Sequence, residues 1–179
     1  MATWNIDPTH SEIQFKVKHL VISTVTGYFR SFNGSVETKG DSFEGAKVTF
    51  EADIDSIDTN QEDRDTHLKS DDFFNAEKFP KMKFESTSFK NTSGDDYELT
   101  GNLTIRDVTK EVTLDVTHGG TVGDPYGQTK AGFEINGTIN RKEFNLKWNA
   151  VTEAGNIVVG DNVKLHMNVQ VVEQVAEEA

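Results

Sequence analysis

The segment from Thr59 to Pro80, TNQEDRDTHLKSDDFFNAEKFP, holds the densest set of groups capable of chemistry. The Arg64 guanidinium could hold a diphosphate as a bidentate fork. His67, about one helical turn further on, could carry a proton or ligate a metal. A metal would need His67 together with Asp63 or Asp71, and that set has neither HExxH nor EF-hand spacing. A solvated acidic loop is written with the same letters, and an ion pair to Asp63, Asp65 or Asp71 competes for Arg64. Six carboxylates against two cations between Asp58 and Asp72 give a local charge of −4. Such a field opposes a bound diphosphate and suits a neutral polar group. Elsewhere, Asp7, His10 and Ser11 suggest a triad, but on a strand His10 and Ser11 would face opposite sides. No nucleophile elbow surrounds Ser11. His19 falls at the end of an apolar alternation, and Arg141 follows another. No residue set reads as catalytic and none as a metal site.

The elements that must position these groups are strands. Ile13, Phe15, Val17 and His19 alternate with polar residues, as do Val48, Phe50, Ala52 and Ile54. The same period of two runs through Tyr97–Ile105, Val112–His118, Phe133–Ile139 and Val163–Val171, with weaker runs at Tyr28–Val36 and Met82–Phe89. Alternation of this kind marks antiparallel strands with one wet face. About eight strands suit a closed up-and-down barrel or a sandwich. Turns are expected at Asn33-Gly34, Gly40-Asp41, Ser93-Gly94-Asp95, Gly119-Gly120, Gly123-Asp124-Pro125 and Gly155-Asn156. Thr59 to Phe79 alone reads as helical: Thr59 would cap a helix with Glu62 in a capping box, with Leu68 as its apolar contact. Ser70 or Asp71 would cap a second turn carrying Phe73 and Phe74, and Pro80 would open the next strand.

The chain has 179 residues, 12 of them Phe, and no Cys, so disulfides and thiolate metal sites are excluded. One domain over residues 1–172 is expected, with the insertion at about 59–79 and an acidic tail at 173–179. The formal net charge of −12 argues against nucleic acid and against an anionic membrane surface. No apolar run reaches the ~18 residues of a membrane span, so no stable membrane insertion is expected. The N-terminus lacks the basic and apolar regions of a signal peptide. A cytoplasmic protein is therefore expected, or a periplasmic one whose leader has been removed. The Phe-rich inward face either fills a core or lines a cavity. Gly101 and Gly137 fall on that face, where each would leave volume unfilled or mark a bend.

The stretches WNIDPTHSEIQFKVKHL, TGYFRSFNG, IDSIDTNQEDRDTHLKSDDFFNAEKFPKMKFES, GNLTIRDVTKEVTL, GTINRKEF and VGDNVKLHMNVQ together resemble the YceI-like family. The likeness runs in order from Trp4 to about Val171. Asp107 and Asn145 stand where that family often has Gly, and Glu111 where it often has Pro. The resemblance implies an all-β, lipocalin-like antiparallel barrel with a helical insertion. It also implies binding of a long isoprenoid, such as a polyprenyl diphosphate or the tail of a quinone, inside the barrel, and a non-enzymatic carrier or storage protein is therefore expected. An association with stress and a homodimer are implied in the same way. No cofactor is expected beyond that isoprenoid lipid or quinone. Wall residues would be Phe15, Val17, Phe32, Phe50, Phe84, Leu99, Leu103, Leu114, Phe133 and Ile135. The rim or lid would carry His19, Arg64, His67, Phe73, Phe74 and Arg141. The competing readings are a metal-assisted hydrolase working through the acidic insertion, and a packed sandwich acting through protein contacts.

Overall fold

The computed structural model describes residues 2–19, 23–40, 42–146 and 159–174. The alternating runs form strands β1 (Ala2–Ile6), β2 (Glu12–His19), β3 (Ser23–Phe29), β4 (Phe32–Thr38), β5 (Lys47–Asp53), β6 (Ile57–Asp58), β7 (Lys81–Ser93), β8 (Asp96–Ile105), β9 (Val108–Gly123), β10 (Thr129–Asn140) and β11 (Val159–Glu173). They reduce to eight staves because three are broken. β1 and β2 are separated by a single 3-10 turn at Pro8–His10, where Asp7 caps the turn and proline cannot donate to a ladder. β3 and β4 part at Arg30-Ser31, and β5 and β6 part at Ile54–Ser56. Each stave pairs antiparallel with its sequence neighbour, and β1 closes the ring on β11 through Trp4↔Glu173 to Ile6↔Val171. The result is a closed, eight-stave antiparallel barrel in up-and-down order.

Closure settles the choice between barrel and sandwich, and it also decides where the two ends lie. The β8–β9 turn, segment 59–80 and the 3-10 turn Arg141–Phe144 gather at one end. The β4–β5 loop and the β7–β8 and β9–β10 turns gather at the other. Ser93-Gly94-Asp95 and Gly123-Asp124-Pro125 do turn the chain, the first with Gly94 at φ 54. Asn33-Gly34 and Gly119-Gly120 do not: both lie inside strands. Gly34 lets the β5 backbone approach, since a Cβ there would sit 2.8 Å from the Thr49 carbonyl oxygen. The Gly-Gly pair runs beside a register shift between Gly132 and Phe133. Gly155-Asn156 lies outside the described residues.

The inward glycines do not leave empty space. A Cβ on Gly101 would lie 2.5 Å from Cζ of Phe84, and one on Gly137 would lie 2.2 Å from Cδ2 of Leu114. Gly27 is covered in the same way by the ring of Phe15. Large inward side chains lie flat across glycines on neighbouring strands, which lets a narrow barrel close around them. β11 continues through Glu173, and the Gln174 amide donates to the Thr3 carbonyl (2.7 Å), so the start of the expected acidic tail belongs to the barrel.

Candidate functional site

Two apolar chambers follow each other along the barrel. The inner one, about 140 Å³, is lined among others by Phe50, Phe84, Leu99, Leu103, Leu114, Phe133 and Ile135. The outer one, about 220 Å³, lies against the insertion and is lined by Val17, Leu68, Phe73, Phe74, Ile105 and Leu146 among others. Phe15, Phe29, Met82, Ile139 and Leu165 border both and form a waist, where the Phe15 and Phe29 rings stand 5.6 Å apart. A dry apolar cavity of ~150 Å³ accepts one benzene-sized molecule. The two chambers together therefore offer room for roughly two to three isoprene units as they stand.

Nine of the ten wall residues named from the sequence border one chamber or the other. Phe32 borders neither. The break at Arg30-Ser31 shifts the phase, so Phe29 takes the inward place. Phe32 packs beside Phe50 at 6.2 Å and against the small cluster of Ile13, Phe29, Ala52, Ile54 and Ile57.

The inner chamber ends on aromatic rings. Phe43, from the β4–β5 loop, turns into the barrel and stands 5.2 Å from Trp4, 5.0 Å from Phe133 and 5.3 Å from His118. His118, in phase with Val116 as its alternation requires, stacks on Phe133 and shares a hydrogen bond with Thr121 Oγ1 (2.9 Å). Phe43 stands outside every strand, so alternation could not find it. Its one sequence signal is a lone Phe in a glycine-flanked polar loop.

At the other end the insertion forms a cover. Its helix, α1, runs over Glu62–Lys69 with Gln61, not Thr59, at the N-cap. The capping box fails because Thr59 has a better partner. Its amide donates to Asp65 Oδ1 (2.8 Å) and its hydroxyl donates to the same oxygen. Arg64 completes this knot, its Nε donating to Thr59 Oγ1 (2.8 Å) and its Nη2 to the Thr59 carbonyl (2.6 Å). Among the described residues no carboxylate pairs with Arg64, which corrects the expected ion pair with Asp63, Asp65 or Asp71. His67 bonds to Asp72 (2.8 Å) and its ring meets the edge of Phe73 at 5.2 Å, so it is not gathered with Asp63 or Asp71. Among the described residues no cluster of three or more His, Asp or Glu could hold a metal ion. Phe73 is buried, and Phe74 meets Phe29 edge-on at 6.0 Å, seating the cover on the barrel wall.

Arg106 was not foreseen. It sits at the β8–β9 turn with φ 57, and its Nη1 donates to the carbonyls of Asp71 and Phe73, both at 2.9 Å. Nη2 pairs with Asp71 Oδ1 at 2.9 Å. Arg106 thus latches the insertion to the barrel, and because it takes the left-handed place, Asp107 needs no glycine. Asn145 also occupies the left-handed region (φ 62), which Asn tolerates best after Gly.

Arg141 is buried at 3% exposure. Its Nε donates to the Gly160 carbonyl (2.8 Å) and Nη2 to that of Val159 (3.2 Å), with Asp161 at 3.9 Å. Burial lowers its pKa from the ordinary value, and Asp161 partly offsets this. A guanidinium still stays protonated in water-accessible pH ranges. Only the backbone of His19 is described, so its place at the rim lies outside the described residues. Asp7 bonds to His10 (2.9 Å), but the Ser11 hydroxyl accepts from the Gln170 amide (3.0 Å), so no triad forms.

Among the described residues, the polar ones bordering the outer chamber are Lys18, Arg64, His67 and Arg141, with Asp72 bonded to His67 and Asp161 3.9 Å from Arg141. Four of the six acids between Asp58 and Asp72 are bonded within the protein, Asp58 to Arg30, Asp65 to Thr59, Asp71 to Arg106 and Asp72 to His67 at the mouth itself. The described residues thus bring two guanidinium groups and an imidazole to the outer chamber, with Asp72 and Asp161 beside them.

The YceI-like domain pattern matches residues 4–171. A UPF0312 protein of Staphylococcus epidermidis is 37% identical over 171 residues, covering 95% of this chain and 97% of that one. The Campylobacter jejuni YceI protein superposes with a TM-score of 0.76 at 32% identity, over 88% of this chain and 90% of that one. A polyisoprenoid-binding domain from Saccharophagus degradans, implicated in plant cell wall breakdown, superposes at 0.67 with 16% identity, over 94% and 97%. That last likeness is one of fold alone. The chain belongs to the YceI-like family.

Proposed function

We propose that this protein binds an isoprenoid amphiphile, with the apolar tail in the two chambers and the head at the mouth beside Arg64 and Arg141, and that it carries or stores the ligand without transforming it. One observation carries the reading: two adjoining apolar chambers run from Arg64, His67 and Arg141 at one end to Phe43 at the other, divided by the waist of Phe15 and Phe29. Each buried CH₂ of a tail contributes ~0.8 kcal/mol before the costs of binding are counted. The fold shared with a polyisoprenoid-binding domain agrees with such a tail. Arg64 and Arg141 beside the outer chamber are the groups that would hold a diphosphate head, set against the −4 charge of the insertion, which suits a neutral quinone. The hydrolase alternative loses its support, because His67 is turned to Asp72 and Asp71 to Arg106.

The test is competition among three ligands with matched tails: a polyprenyl diphosphate, the corresponding alcohol and a quinone. The diphosphate should bind tightest and should displace both others. Equal affinity for all three would overturn the head-group assignment while leaving the tail site standing. Failure of all three to bind would overturn the reading.

A further inference from the structure

We infer that Phe43 is the stop that sets how long a tail the barrel accepts; this rests on the tail-binding reading above. The inner chamber ends on its ring, which is wedged against Trp4, His118 and Phe133. Phe43 belongs to a loop and is still buried at 6% exposure. The loop is stapled inward. Gly45, at φ 75, donates its amide to the Phe89 carbonyl (2.8 Å), and the Ala46 amide donates to the Phe43 carbonyl (3.0 Å). The Asn91 amide also bonds to the Glu44 carboxylate. Two of these bonds tie the loop to β7 through Glu44 and Gly45, immediately after the ring, and the third closes the loop on the Phe43 carbonyl, so the Phe43 backbone cannot move outward without breaking them.

A fixed stop opposite a polar mouth makes the distance between them a measure of tail length. The head is held by its charge at one end, and the terminal methyl meets Phe43 at the other. A tail too long for that span must turn the waist rings of Phe15 and Phe29 or leave its head unpaired, and either costs affinity. A phenyl ring and an isoprene unit are of similar size, so removing the ring frees room for roughly one more unit.

The experiment loads delipidated protein with an equimolar mixture of geranyl, farnesyl, geranylgeranyl and longer polyprenyl diphosphates. Bound lipid is then extracted and its length distribution read by mass spectrometry. Phe43→Ala should move the maximum upward by about one isoprene unit, with total bound lipid near one per barrel. Phe43→Leu keeps an apolar anchor for the loop and should shift it less, and Phe43→Trp should shift it downward. Identical distributions in the wild type and folded Phe43→Leu and Phe43→Trp variants would overturn the stop. If the wild type takes up none of the homologues, the tail-binding reading falls, and the stop with it.

Discussion

The two ends of the barrel are closed by different physics. At the Phe43 end, rings pack on rings, and the loop is held to β7 by one backbone bond, from Gly45 to Phe89, and by the Asn91 amide on the Glu44 carboxylate. At the mouth, Phe73 and Phe74 seat the cover, and its remaining ties are side-chain bonds: Arg106 to Asp71 and two carbonyls, His67 to Asp72, and Arg64 with Asp65 to Thr59. Several of those partners are exposed, Asp71 by 81% of its side chain. Exposed, side-chain-mediated contacts open at lower free energy than buried backbone-bonded packing. The mouth is therefore the end expected to open more readily.

The largest way to break this picture is to spoil the tube between the ends. Leu103 is buried in the wall of the inner chamber. Leu103→Glu places an unpaired carboxylate there, costing on the order of several kcal/mol unless it is protonated. Lipid uptake should be abolished while far-UV circular dichroism still reports strands; normal uptake by the folded variant would contradict the tube. Gly101→Ala should destabilise by about 1–3 kcal/mol in denaturant melts, because its Cβ meets the Glu85 carbonyl oxygen at 2.4 Å, and backbone cannot swing aside. Gly137→Ala should cost less, since it meets the far end of the Leu114 side chain.

The difference between the ends is sharpened by Arg106→Gly, which removes the latch and suits the left-handed φ of 57. Amide exchange should accelerate across residues 62–79 and stay unchanged around Phe43, with faster ligand release. Uniform exchange at both ends would show that the cover is not the weaker one. Arg64→Gln should weaken a diphosphate-headed ligand about tenfold, or ~1.4 kcal/mol, and leave the matched alcohol unaffected.

The smallest effect concerns Asp7. Its pKa is lowered from 3.8 to about 2, first by the Thr9 hydroxyl and then by His10. A depressed carboxyl stabilises the fold above its unfolded pKa and loses that contribution as pH falls through its folded one. Asp7→Asn should therefore flatten the acid limb of stability between about pH 4 and pH 2. An unchanged acid limb would show that the pair with His10 contributes nothing measurable.

The staves were legible because each buries one face, and burial writes itself as a period of two. Ring closure was not, because the pairing of β1 with β11 joins residues at opposite ends of the chain. The wall residues followed from phase wherever a stave runs unbroken, and Phe32 failed where one breaks. Thr59 misled because a capping box and a knot with Asp65 use the same residue types. Arg106 and Phe43 were hidden for a shared reason: each acts from a turn or loop through long-range contacts that leave no periodic trace.

The most direct test is native mass spectrometry of delipidated protein exposed to a polyprenyl diphosphate and, separately, to an isoprenoid quinone. One ligand per barrel, retained through desolvation and lost in Leu103→Glu, is the expected result. An unliganded mass with both compounds would contradict the claim that the interior exists to hold an isoprenoid tail.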